Sequence, residues 1–135
     1  MENQILGSNA DLPKALITYL QDIHKRVSSS NVGFRRKNMP ALLLRFFQDM
    51  SAVIHNCYET LQPDGQAMIV IGDNRMKFSD DDEFERIATT DFVEQIAHHN
   101  NFKTVERLDI SVTTENFHHI KNAITENVVL WLEKK

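Results

Sequence analysis

The chain has 135 residues, 41% apolar and 25% charged, with a formal net charge of −4; it has room for one domain with one core, and disorder is not its default state. The acidic balance, with a pI near 5.8, argues against a general grip on phosphate backbones. One cysteine, Cys57, excludes an internal disulfide and points to packing in a reducing compartment; no apolar run nears the roughly 18 residues of a membrane span and no basic-then-apolar leader is present, so a soluble, cytoplasmic chain without a membrane partner is expected.

Asp11 and Pro13 open an amphipathic helix in which Leu12, Ala15, Leu16, Tyr19, Leu20, Ile23 and Val27 recur at spacings of three and four. Ser28 to Asn31 end it, and Gly33 to Asn38 read as a polar, basic connection. Pro40 opens a second helix carrying Leu43, Phe46, Phe47, Met50, Val53, Ile54, Cys57, Tyr58 and Leu61 in one wide stripe. Pro63-Asp64-Gly65 signals a turn, and the strand that follows is apolar at every position from Ala67 to Ile71, the pattern of a strand covered on both faces in a parallel sheet. The next stretch, DNRMKFSDDDEFER, has neither period and reads as an acidic linker.

Thr89-Thr90-Asp91 supply an N-cap and an acidic first turn for a third helix with Phe92, Val93, Ile96 and Ala97 inward, and Asn100 or Asn101 can stop it in the left-handed conformation. A strand from Phe102 to about Val112 shows alternation at Leu108, Ile110 and Val112; TTENFHHIKNAITE intervenes as loop or broken helix, and NVVLWLEKK closes the chain as a second continuous apolar strand. The first strand, the third helix and the next strand make one βαβ unit, and the last two strands pair antiparallel. The closing strand is expected at the centre with Trp131 in the core, and the preceding strand, with Glu106, Arg107 and Asp109, at an edge.

RFFQDMSAVIHNCYETLQPDGQAMIVIGDNRM, IATTDFVEQIAHHNNF and NAITENVVLWLEKK, taken in that order, resemble the C-terminal half of a class I S-adenosylmethionine-dependent DNA amino-methyltransferase, of the kind that modifies adenine N6 or cytosine N4. The likeness rests on an aromatic-x-Asp-Met helix, a strand ending in Gly-Asp-Asn, an Ile-x-Thr helix opening and a closing strand with a terminal Lys, and covers roughly residues 40 to 135. It implies a three-layer Rossmann-like half-domain with a small mixed sheet of about three strands. Residues 1 to 39 would add an N-terminal helix and basic loop, and 40 to 135 the helix-strand-helix-strand-strand unit of a single domain.

The departures from that family matter equally. The family's glycine-rich cofactor loop and its Asp/Asn-Pro-Pro-Tyr/Phe base clamp are absent: the glycines are Gly7, Gly33, Gly65 and Gly72, and no two prolines adjoin. S-adenosylmethionine is thus expected in the complete enzyme and not on this chain alone, and no catalytic residue is assigned. The expected function is a fragment or subunit of such an enzyme, inactive alone; the alternative is a noncatalytic α/β dimerisation or interaction module descended from the fold. In either case the Ala67 to Ile71 edge should be covered by a second copy, a separate chain or the protein's own N-terminal residues.

The resemblance puts the Asp73-Asn74-Arg75 loop on the substrate side, where open α/β sheets also place ligand crevices; the plainer reading is a capped turn. Arg35, Arg36 and Lys37, with Lys25 and Arg26 near in sequence, form the one basic cluster and the candidate DNA contact, against the plainer reading of a solvated loop. His98-His99 and His118-His119 are expected as surface residues, since neighbours on a helix point about a hundred degrees apart and ligate one ion poorly. No metal is assigned.

Overall fold

The computed structural model describes residues 12–29, 32–78, 84–111 and 126–135. Asp11 as a helix start, the ending at Ser30 and Asn31, the acidic run Asp80 to Glu83, Val112 and the stretch with His118 and His119 lie outside the described residues.

Helix α1 (Lys14–Ser28) starts after Pro13 and buries Leu16, Leu20, Ile23 and Val27, the four-three-four ridge of one helix face. Ala15 is exposed, and Ile17 packs on the core instead. Where a connection was expected, α2 (Phe34–Lys37) makes one helical turn: the carbonyl of Gly33 accepts the N–H groups of Arg36 and Lys37 at 3.1 and 3.2 Å. Helix α3 (Met39–Thr60) has Pro40 in its first turn, where the missing N–H leaves no bond unmade. Its buried stripe is narrower than expected. Leu43, Leu44, Phe47 and Ile54 are buried, whereas Phe46 and Val53 are exposed, because the helices packed on α3 cover one side of it.

The turn at Pro63-Asp64-Gly65 forms with Asp64, not the glycine, in the left-handed region at φ 64°. Gly65 is needed for space: a Cβ there would stand 2.7 Å from the Gln62 carbonyl, which accepts the Gly65 N–H. Strand β1 (Gln66–Ile71) follows, and then the expected linker proves to hold a small antiparallel ribbon, β2 (Asn74–Met76) with β3 (Glu85–Ile87). Three-residue strands are too short to show a period, and the paired residues include Arg75, Arg86 and Glu85. Helix α4 (Thr89–His99) buries Phe92, Val93, Ile96 and Ala97 as expected and ends at Asn101, left-handed at φ 69°.

Strand β4 (Phe102–Ser111) and strand β5 (Glu126–Lys134) complete a three-stranded sheet in the order β1-β5-β4. The closing strand is central, as its unbroken apolar run predicts, and the charged β4 is an edge. Both pairings are antiparallel, so β1 and β4 point the same way without touching, and among the described residues the sheet contains no parallel ladder. The expectation that β1 is covered on both faces is overturned. Its side chains alternate: Ala67, Ile69 and Ile71 turn toward the core and are half-buried, whereas Met68 and Val70 are 62% and 59% exposed. Trp131 is likewise half-buried rather than core, opposite Met68 in the ladder, with its indole N–H donating to Gln66 Oε1 at 3.1 Å.

The core lies on one side of the sheet. Leu130, Leu132 and Phe102 share one buried cluster with α3 and α4, which α1 joins through the aromatic group of Tyr19, Phe92 and Phe47 with ring centroids 5.1 and 5.7 Å apart. The last strand also ties down the longest helix. Lys134 Nζ donates to the Tyr58 and Leu61 carbonyls at 2.8 and 2.9 Å, placing a cation on the negative end of α3. No described helix is long and apolar enough to cross a membrane.

Candidate functional site

Strand β1 delivers the chain at its carboxyl end into the corner at Asp73. There Asp73 Oδ1 accepts the Thr90 N–H at 2.9 Å, one of the donors that the first turn of α4 leaves without an internal partner. Oδ2 accepts from Arg86 Nε at 2.7 Å and Nη2 at 2.6 Å. The sequence suggests that Thr89 or Thr90 caps the helix; the backbone cap is Ala88, without a side-chain cap bond, and the carboxylate arrives from seventeen residues upstream. Burial disfavours the charged form of Asp73, but the Thr90 N–H and the Arg86 guanidinium outweigh it and hold the carboxyl below its usual value. Asn74 pairs with Ile87 in the ribbon. Of the three predicted loop residues, Asp73 and Asn74 hold the corner together, and Arg75 presents an exposed cation beside it.

The second predicted set lies on α2. Arg35 and Lys37 are exposed, Arg36 is half-buried, and Phe34, one residue before them, is 83% exposed. Helix α2 packs against α1, whose last turn adds Lys25 and Arg26. Arg26 joins the two regions: its guanidinium lies 5.3 Å from the Phe78 ring centre and pairs with Glu85 of the β2-β3 ribbon at 2.9 Å. The ribbon and the basic helices therefore belong to one neighbourhood, a link that no sequence spacing announces.

A polar chain absent from the sequence reading runs along α4 and β4. Arg107 Nη1 donates to Asp91 Oδ1 at 2.8 Å and Glu94 Oε1 at 3.1 Å; the Thr104 hydroxyl donates to Glu94 Oε2 at 2.7 Å, and His98 Nε2 lies 2.7 Å from Thr104 Oγ1. Since the hydroxyl proton goes to Glu94, the imidazole is the donor in the last contact. These bonds fasten α4 to the edge strand, and every acceptor named is engaged. Among the described residues no group of three His, Cys, Asp or Glu side chains is placed to hold a metal. The described glycines, Gly33, Gly65 and Gly72, lie apart in the chain and form no glycine-rich strand-to-helix turn, and the Asp73 contacts hold the strand-to-ribbon corner.

Among the described residues the sheet presents an exposed apolar face. Met68, Val70, Leu108 and Ile110 are exposed on the face away from the helices, around the half-buried Val129 and Trp131. The free edge of β1 adds backbone groups. The Lys134 N–H donates to the Gly65 carbonyl at 2.8 Å in a ladder that sets Gln66 opposite Glu133, so odd-numbered residues of β1 bond to β5. The N–H and C=O groups of Gln66, Met68 and Val70 face outward. The strand holds no charge, no proline and no bulge, whereas the β4 edge carries Lys103, Glu106, Arg107 and Asp109 and a register shift between Thr104 and Glu106.

No family model and no curated protein matches the sequence. Among solved structures, the fold is similar to a crystal structure from Thermus thermophilus, provisionally described as a DNA modification methylase, with a TM-score of 0.56 and 13% identity over 72% of this chain. The match takes in 40% of that protein, so the chain spans about two fifths of its length. The likeness is one of fold: a mixed α/β unit with a small antiparallel sheet, shared with part of a methylase-like structure.

Proposed function

We propose that the chain is the carboxyl-terminal part of a DNA amino-methyltransferase fold, working as a fragment or subunit that a further polypeptide segment completes. The observation that carries this reading is the sheet as the described residues build it: helices on one face, exposed apolar side chains on the other, and no described strand paired on the outer edge of β1. Burying six such side chains is worth on the order of 10 kcal/mol gross, comparable with the cost of association, and edge pairing would add to it. The similarity to part of a methylase-like structure supports it, as do the sequence motifs of residues 40 to 135.

In this reading the completing segment brings the glycine-rich cradle for S-adenosylmethionine and the base-clamping motif, and the chemistry is methyl transfer to adenine N6 or cytosine N4 of an extruded base. This chain supplies the far half of the sheet, the corner at Asp73, Asn74 and Arg75, and phosphate contacts from Arg35, Arg36 and Lys37. The whole of residues 1–135 acts as one domain within that assembly.

The test is to purify the chain from its native cells, identify what accompanies it, and assay labelled methyl transfer from S-adenosylmethionine to DNA with both components. Activity that needs both, and slow amide exchange at Met68 and Val70 in the complex, is expected. A monodisperse monomer in those cells, with fast exchange at both amides, removes the proposal. A second reading, a noncatalytic module in which a second copy covers β1, is favoured by the absence of charge along that strand; a pure homodimer with no methylase partner would select it.

A further inference from the structure

Phe34 is the anomaly of the basic region. Phe47, Phe78, Phe92 and Phe102 are buried, yet this ring stands 83% exposed on a turn held by two hydrogen bonds to the Gly33 carbonyl. Burying a phenylalanine is favourable, and its position leaves that gain unused. Its surroundings are cationic: α2 is Phe34-Arg35-Arg36-Lys37, without an acidic residue, and the adjoining last turn of α1 carries Lys25 and Arg26. Glu85 of the ribbon is paired with Arg26. Positive charge is thus gathered at one place on a chain whose net charge is −4.

We infer that Phe34 and these cations form a binding site for single-stranded nucleic acid, the ring stacking on an unpaired base while Lys25, Arg35 and Lys37 meet the flanking phosphates. This deepens the DNA contact proposed above and rests on it for the choice of ligand, but needs no methyl-transfer chemistry. Charge complementarity selects a polyanion. A flat apolar ring among the cations selects one with exposed bases, since stacking is how strand-binding proteins hold unpaired bases, and an intact duplex offers that ring no free base face. An anionic membrane would call for an amphipathic helix with a continuous apolar face, and α2 is a single turn with one aromatic.

The experiment measures fluorescence anisotropy of a dye-labelled DNA strand of roughly a dozen nucleotides, long enough for one such site, against the purified 135-residue chain at several salt concentrations. The same strand as a duplex, and vesicles of phosphatidylserine, form the comparison arms. The single strand should bind more tightly than the duplex. Phe34→Ala should weaken it roughly 5- to 100-fold, the range of a lost stacking contact, and Phe34→Tyr should restore it. Arg35→Gln with Lys37→Gln should lower the slope of log affinity against log salt by about 1.4, two phosphate contacts at about 0.7 each.

Equal affinity of Phe34→Ala and the native chain, equal binding of strand and duplex, or binding to vesicles but not to DNA each overturns the inference. Its failure is separable from failure of the methyltransferase reading. Methyl transfer by the native chain with its partner, without strand binding by this chain, removes only the site. Strand binding by a chain that never associates with a methylase partner removes only the enzyme reading.

Discussion

On one face of the sheet Leu130 and Leu132 are fully buried on the helical side, while on the other Met68 and Val70 of the neighbouring strand stand more than half exposed. Both faces are built from the same residue types. What separates them is a second layer, present among the described residues on one side alone. Hydrophobicity along β1 therefore does not by itself say which of its side chains are covered: Ala67, Ile69 and Ile71 meet the core, and Met68 and Val70 stay exposed. The two edges repeat the contrast: β4 is defended by charges and a bulge, and β1 is not.

The sharpest way to break that comparison is on the covered side. Phe47 is fully buried and meets Phe92 edge-on at 5.7 Å, so Phe47→Ala should cost about 3–5 kcal/mol in urea unfolding; a loss below about 1 kcal/mol would mean the helical face is not the core.

Next in size is the corner that joins sheet to α4. Asp73→Asn should cost about 1–2 kcal/mol, mostly through the helix cap, because Arg86 is 73% exposed and its ion pair is screened. The carboxyl titrates lower in the folded chain than in the unfolded one. Its stabilisation is therefore complete above the unfolded value near pH 4 and is lost as pH falls through the folded value. Melting temperature against pH should show an acid limb that Asp73→Asn flattens; an unchanged limb would remove Asp73 as its source.

Tyr19 offers a smaller effect of opposite sign. Its hydroxyl is buried without a partner, and burial first, then Glu85, pushes its pKa up to about 12. The native state favours the neutral phenol, so this contribution is full below about pH 10 and is lost as pH rises through 12. Tyr19→Phe should leave stability equal or raise it by up to about 1 kcal/mol, and remove the alkaline loss seen by circular dichroism. A clear destabilisation would show a hydrogen bond at that hydroxyl.

The least effect on folding is expected on the open face. Met68→Lys with Val70→Lys should change the stability of the isolated chain by no more than about 0.5 kcal/mol, as exposed positions do. The same pair should abolish recovery of the completing partner. Large destabilisation of the isolated chain would mean that this face is covered after all, and the contrast between the faces would fall.

Much of the fold was legible because periodicity reports local burial. The ridge Leu16, Leu20, Ile23 and Val27, the inward set of α4, the stop at Asn101 and the central place of β5 all follow from spacing and residue type. The β2-β3 ribbon escaped because three residues hold no period, and the expected burial of both faces of β1 failed because a continuous apolar run does not state how many of its faces are covered. Within the candidate site, the cations at 35 to 37 and the Gly-Asp-Asn corner were visible as letters. Their attachments were not: Asp73 reaching Thr90, Arg26 bridging Phe78 and Glu85, and Lys134 closing α3 join residues 17 to 76 positions apart.

By itself, then, the order of residues determined which segments coil, which extend and which side of each is oily, since these depend on neighbours a few positions away. Tertiary structure alone decided which oily surfaces found a cover and which charges found a partner. Both depend on distances between remote segments, and among the described residues the helices gather on one face of the sheet while Met68 and Val70 stay exposed on the other.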